Sequence, residues 1–208
     1  MRDDDTIAAI ATANGRSAIG IIRISGPDVD AILNKHAPSI RPRRATLVDF
    51  CDDKQEKIDS VIMVYYKNPQ SYTGEDLLEI QTHGNPIILG KIMNILCPKY
   101  ARQARAGEFT ERAFLNSKID LLQAEATIDL INSSSIAAAN SAMKSLSGTY
   151  SKLVSEIKSD IIKTRSSIEA IINFPEDETT SWDQRHIGNE LEMVCLLYTS
   201  DAADDVIS

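Results

Sequence analysis

The spacing of apolar positions changes part-way along the chain. Up to about residue 118, short runs rich in β-branched residues alternate with turn signals; from about 119 to 174, apolar residues recur at helical spacing. Thr6–Ala11 and Ile19–Ser25 are isoleucine-rich runs on either side of Asn14-Gly15-Arg16. They predict a hairpin with a longer loop. Gly26-Pro27-Asp28 stops the second run and opens a helix near Val29–Lys35, because proline suits the first helical turn and aspartate favours the positive helix end. Ala45–Phe50 and Ile58–Tyr66 predict further strands. Val61–Tyr66 is too apolar to face solvent on one side and belongs in the middle of a sheet. Asp76–Thr82 alternates as a strand, and Pro86–Leu96 returns to helical spacing with Ile87, Leu89, Ile92 and Ile95 or Leu96 on one side. The expected fold class is α+β.

A second texture begins at Thr110-Glu111-Arg112. Across Asp120–Ile131, Leu121, Leu122, Ala124, Ala126, Ile128, Leu130 and Ile131 are interleaved with Gln123, Glu125 and Asp129. Further on, Leu146, Tyr150, Leu153, Ile157, Ile161, Thr164, Ile168 and Ile171 recur at intervals of three and four. That heptad-like seam predicts a long helix in a bundle, since one seam is stable only when packed on something else. Gly148 costs roughly 1 kcal/mol against alanine inside a helix, so it marks a break or a close approach. Pro175 ends the helix near Asn173-Phe174. After Glu178 the pattern degrades. The closing segment from Cys195 reads like translated sequencing-adapter sequence, so the natural match is expected to stop near Val194 and residues 195–208 to pack against nothing. The expected organisation is a domain over 1–118, the start of a helical domain over 119–180, and a truncated or artefactual tail over 181–208.

Composition narrows the class. Of 208 residues, 43% are hydrophobic and 25% charged, which permits a buried core. A net charge of −8 argues against a generic nucleic-acid surface; Arg41, Arg43 and Arg44 form one short basic cluster, read as a solvated loop. Cys51, Cys97 and Cys195 form no CxxC, which suits a reducing compartment. His36, His83 and His186 have no metal-ligand spacing. No signal peptide opens the chain and no apolar run is long enough to span a membrane, so the cytoplasm is the expected location.

Three blocks carry a family resemblance. They are Asp5-Thr6-Ile7 through Ile19-Gly20-Ile21-Ile22-Arg23-Ile24-Ser25-Gly26; Ser71-Tyr72-Thr73-Gly74-Glu75-Asp76-Leu77-Leu78-Glu79-Ile80-Gln81-Thr82-His83-Gly84; and Ala104-Arg105-Ala106-Gly107-Glu108-Phe109-Thr110-Glu111-Arg112-Ala113-Phe114-Leu115-Asn116-Ser117-Lys118, continuing through Gln123-Ala124-Glu125-Ala126 to Ile131. A weaker fourth is Glu169-Ala170 to Phe174-Pro175-Glu176. In order and spacing they resemble the MnmE (TrmE) family of tRNA-modifying GTPases over residues 1 to about 180. Departures fall in turns and at a helix end: Ala13-Asn14 replaces a usual proline pair, Ala106 a frequent proline, Ser117 a frequent glycine, and Asn173 a usual aspartate.

The resemblance implies an N-terminal domain like the tetrahydrofolate-binding domain of aminomethyltransferases, which dimerises and binds a reduced folate, either 5-formyl-tetrahydrofolate or 5,10-methylene-tetrahydrofolate. It also implies a larger setting: a homodimer that, with an FAD-dependent MnmG-type partner, installs a carboxymethylaminomethyl or aminomethyl group on C5 of the wobble uridine of tRNA. Carried over position by position, the folate contacts are Arg23, Glu79 and Lys118. A carboxylate suits ring N–H donors, and cations suit anionic or carbonyl oxygens. Taken alone, Arg23 at a strand end reads as a surface ion-pair partner, Glu79 as part of a solvent face, and Lys118 as a loop residue. His83, in the same block, reads as a structural hydrogen-bonding residue. An alternative from another class is a stand-alone folate-dependent aminomethyltransferase-like module; Gln123-Ala124-Glu125-Ala126 and the long seam favour the GTPase family.

In that family GTP, Mg and K belong to a G domain. A P-loop needs GxxxxGK[ST], whose amides cradle phosphates and whose lysine neutralises them. Gly15-Arg16-Ser17-Ala18-Ile19-Gly20 has the glycine spacing but continues into Ile21-Ile22. The sequence is therefore expected to represent the N-terminal part of such a protein without the G domain. A fluorescent GTP analogue should show no saturable binding to this chain; binding displaced by excess GTP would overturn that expectation.

Overall fold

Strand alternation divides the first half of the chain into a covered and an open sheet face. The computed structural model describes residues 5–173 together with 188, 189, 191–193, 195 and 196. It consists of two compact units, Met1–Ile119 and Asp120–Ser208. In the first, six strands, β1 (Ile7–Ile10), β2 (Ser17–Ser25), β3 (Thr46–Cys51), β4 (Lys57–Tyr66), β5 (Leu77–Gly84) and β6 (Arg102–Gln103), form one sheet in the order β3-β4-β5-β2-β1-β6. Neighbours are antiparallel except β1 and β6, which are parallel.

The period of two decides which side chains enter the core. Ile22 and Ile24 of β2, Val61, Met63 and Tyr65 of β4, and Leu78 and Ile80 of β5 are buried in one cluster. Helices α1 (Val29–His36) and α2 (Pro86–Leu96) supply Val29, Ile32 and Leu33, and Leu89, Ile92, Met93 and Leu96, to the same cluster. Helix α2 starts where it does because the Asn85 side chain accepts from the amide of Ile87, with Pro86 in the first turn. The residues between the buried ones, among them Arg23, Glu79, Gln81 and Ile62, occupy the opposite face. Ile62 and, on β3, Leu47 remain exposed there.

The turn that leaves β2 requires glycine. Gly26 has φ +134°, and a Cβ at that position would lie 2.6 Å from the Thr6 Cα and 3.0 Å from the Asp5 carbonyl oxygen. The Gly26 amide also donates to the Asp76 carbonyl at 3.0 Å, joining the end of β2 to the approach to β5. Helix α3 (Glu108–Leu115) follows β6 and belongs to this first unit. Thr110-Glu111-Arg112 thus lies inside α3 and does not open the helical part. The reason is that Glu108 and Arg112 are buried charges of the first unit, which apolar spacing does not register.

The second unit holds α4 (Leu121–Asn132), α5 (Ile136–Leu146) and α6 (Thr149–Asn173). Asp120 and Gln123 form a reciprocal capping box that starts α4. The seam beginning at Leu146 does not run through one helix. Gly148, at φ +80°, separates α5 from α6, and Gln123 Nε2 donates to the Leu146 carbonyl at 3.0 Å, satisfying an acceptor at the end of α5. Ala126, Ala142 and Thr164 are buried, Leu153 and Ile157 are half-buried, and Ile128, Ile131, Ile136, Met143 and Ile161 are exposed. No described residue after 125 is in a strand. Phe174-Pro175 and most of residues 181–208 lie outside the described residues.

Gly26→Ala should destabilise the first unit by about 2 kcal/mol or more, because both the backbone conformation and the space exclude a side chain. Urea unfolding followed by circular dichroism checks this, with the m-value expected to be unchanged.

Candidate functional site

Strands β2 and β5 place Arg23 directly opposite Glu79 on the open face of the sheet. The Arg23 Nε and Nη2 donate to a single oxygen, Glu79 Oε1, at 3.0 and 2.7 Å. The side chains retain 31% and 16% of their exposure, so the pair is shielded but reachable. Arg23 Nη1 and Glu79 Oε2 have no partner among the described residues, which leaves one donor group and one acceptor available. Arg23 is not at the strand end but two residues inside β2.

Two aromatic rings flank this pair. The Arg23 guanidinium carbon lies 5.6 Å from the Tyr72 ring centroid and 6.0 Å from that of Phe109, within cation–π range. The Tyr72 hydroxyl meets Thr110 Oγ1 at 3.0 Å, tying the loop before β5 to α3. Lys118 borders the same loop: its Nζ donates to the Pro69 carbonyl at 3.0 Å. Arg23 and Glu79 therefore touch each other, while Lys118 joins them through the intervening segment from Pro69 to Tyr72. Tyr72 and Phe109 escaped sequence reasoning as site residues. Nothing in a linear pattern says that two aromatic residues 37 positions apart flank one guanidinium.

The loop is held from beneath by charges. Ser25 Oγ bonds Thr73 Oγ1 at 2.6 Å and donates to Glu75 Oε2 at 2.8 Å, and Asn116 Nδ2 donates to the Thr73 carbonyl at 2.7 Å. Glu75 in turn receives the Arg112 guanidinium at 3.2 Å. Arg112, 5% exposed, also donates to the Asp5 carbonyl at 2.7 Å and the Asp5 carboxylate at 2.8 Å. Glu108, 1% exposed, accepts from Arg102 Nη1 at 2.9 Å and from the Arg105 amide at 2.7 Å. Hydrogen bonding from Arg102 outweighs burial and holds the Glu108 carboxyl at about 2. Burial opposes the charge on Arg112, yet Glu75 and its other acidic neighbours keep it above the ordinary arginine range.

His83 lies at the far end of β5. Its Nδ1 is 2.8 Å from Asp59 Oδ1, and its ring is 71% exposed. Asp59 is buried, but hydrogen bonds from Thr82 and from the His83 amide and ring hold its carboxyl at about 2. The histidine is thus hydrogen-bonded to a carboxylate and remote along the strand from Glu79. No group of three or more potential metal ligands occurs among the described residues, and no helix among them is long and apolar enough to cross a membrane.

The profile of the family described as "GTP-binding protein TrmE N-terminus" matches residues 6–118, which contain every residue placed around Arg23. The chain belongs to the MnmE (TrmE) family. A second profile, the MnmE helical domain, matches residues 121–196. A protein of Francisella tularensis subsp. novicida, strain U112, named tRNA modification GTPase MnmE, is 49% identical over 195 residues, covering 93% of this chain and 43% of that protein. One of Francisella philomiragia with the same name is 48% identical, covering 92% of this chain and 43% of its own length. The chain therefore spans less than half the length of these MnmE relatives. Their agreement with it extends across both structural units.

The depressed Glu108 pKa sets a pH window. Its stabilising contribution is complete above the ordinary value of 4.5 and is lost as pH falls towards about 2, on the order of 3 kcal/mol in all. Glu108→Gln should lower stability at neutral pH by about that amount and flatten the stability profile across this window, as measured by urea unfolding at a series of pH values.

Proposed function

We propose that this chain is the folate-binding N-terminal part of a tRNA modification GTPase, with residues 1–118 as the ligand-binding and dimerising domain and 119–180 as the start of the helical domain. The observation that carries the reading is the Arg23–Glu79 pair on an open sheet face, flanked by Tyr72 and Phe109, with one donor and one acceptor unengaged.

The residues fit the chemistry of a reduced folate. The pterin is flat, suiting the aromatic rings, and its edge alternates N–H donors and acceptors, which Glu79 Oε2 and Arg23 Nη1 complement. Glu79 would accept from the ring, and Arg23 and Lys118 would hold carbonyl or carboxylate oxygens. Arg23 also holds the Glu79 carboxylate in place before any ligand arrives. Bound there, the folate would supply a one-carbon unit, as 5-formyl- or 5,10-methylene-tetrahydrofolate. The setting is a cytoplasmic homodimer whose full-length form acts with an FAD-dependent MnmG-type partner on the wobble uridine of tRNA. GTP, Mg and K would be engaged by a G domain and not by the residues described here.

Calorimetric titration with 5-formyl-tetrahydrofolate tests the reading. An unpaired buried donor costs roughly 1–3 kcal/mol, so Glu79→Ala should weaken binding about ten- to a hundred-fold. Arg23→Ala and Lys118→Ala should weaken it less. Absence of binding by the folded chain, verified by circular dichroism, would sink the assignment.

A further inference from the structure

We infer that Arg43 and the cations around it form a subsite for the anionic tail of the ligand, the run of γ-linked glutamates that distinguishes a polyglutamyl folate from its monoglutamyl form. The inference rests on the folate reading above and adds a residue, Arg43, and a substrate preference to it.

Arg43 is positioned as a structural element rather than left in solvent. Its backbone sits in the left-handed region at φ 59°, which costs a non-glycine residue free energy and persists only where its surroundings enforce it. Its amide donates to the Tyr65 carbonyl at 2.7 Å. Its Nη2 donates to the Gln70 carbonyl at 2.8 Å, and its guanidinium lies 6.0 Å from the Tyr66 ring centroid. Lys118 reaches the preceding carbonyl, that of Pro69, and follows a second left-handed residue, Ser117 at φ 56°. Two cations thus converge on consecutive carbonyls, two residues before Tyr72, whose ring flanks Arg23. The cationic patch and the pterin site are continuous along one segment.

The charge there is uncompensated. Arg43 and Lys118 engage main-chain carbonyls, not carboxylates. Arg41, Arg44 and Lys67 are exposed, with no acidic partner among the described residues. The nearby acids are occupied elsewhere: Glu75 by Ser25 and Arg112, and Asp76 by Tyr65 and the Asn68 amide. A patch of this sign on a chain of net charge −8 attracts a flexible polyanion. Its continuity with the pterin site favours a tail joined to the same ligand over a separate RNA backbone.

The test is calorimetry on the full chain with monoglutamyl and pentaglutamyl 5-formyl-tetrahydrofolate, at low and at high salt. The pentaglutamyl form should bind about ten-fold tighter at low salt, the advantage shrinking as exposed charges are screened. Arg43→Asn removes the charge while tolerating the left-handed backbone, and should abolish most of that advantage with monoglutamyl binding unchanged. Equal affinity of the unaltered chain for both forms, or an Arg43→Asn loss that is the same for both, overturns the tail subsite and leaves the pterin site standing. Failure of both forms to bind overturns the pterin site itself. A tail advantage untouched by Arg43→Asn, with binding of an anticodon stem-loop RNA lost in that variant, assigns Arg43 to RNA and overturns the inference.

Discussion

A guanidinium that is almost wholly buried must be neutralised where it stands, and Arg112 organises the first unit around that requirement. It draws in the carboxylates of Asp5, Glu75 and Glu108, which come from the chain start, the loop before β5 and its own helix. Removing one member would leave uncompensated charge in a shielded place. The network therefore constrains where three distant segments lie as well as stabilising them. Through Glu75 it determines the course of the segment that carries Tyr72 and Thr73. Through α3 it determines where Phe109 lies.

The open sheet face depends on that arrangement. A sheet covered by helices on one side leaves the other side's residues half in water, and a cross-strand arginine–glutamate pair there would ordinarily contribute little. Here Tyr72 and Phe109 lie within cation–π range of the guanidinium and reduce its hydration, so the two charges interact more strongly with each other. Because both Arg23 bonds go to one oxygen of Glu79, the pair is held together without being saturated.

The helical unit follows a different logic. Its helix starts are set locally, by Asp120 and Gln123 for α4 and by Ser135 for α5. Gln123 also satisfies the Leu146 carbonyl beside the left-handed Gly148. One side chain of the Gln123-Ala124-Glu125-Ala126 block thus serves both a helix start and a helix end. Apolar side chains of α4, α5 and α6 stay exposed, among them Ile128, Ile131, Ile136, Met143 and Ile161.

Alternation, turn residues and helical spacing were sufficient to place β1 to β5, α1, α2 and α4, because each depends on neighbours a few positions away. The family was legible too, since its blocks preserve residue identities in order. Arg23, Glu79 and Lys118 came from that resemblance; their own local patterns pointed to a surface pair, a solvent face and a loop. Helix α3 and strand β6 were not legible: α3 is anchored by buried charges rather than by an apolar stripe, and β6 is two residues long and exists only because β1 is beside it. Nor did the sequence distinguish Arg43, held over Tyr66 and bonded to Gln70, from Arg41 and Arg44 in the same basic run. Local sequence determined the elements and their faces, because backbone and side-chain preferences act over one or two turns. Only the tertiary structure decided which charges meet and which aromatic rings flank Arg23, because those contacts join residues tens of positions apart whose partners no local preference specifies.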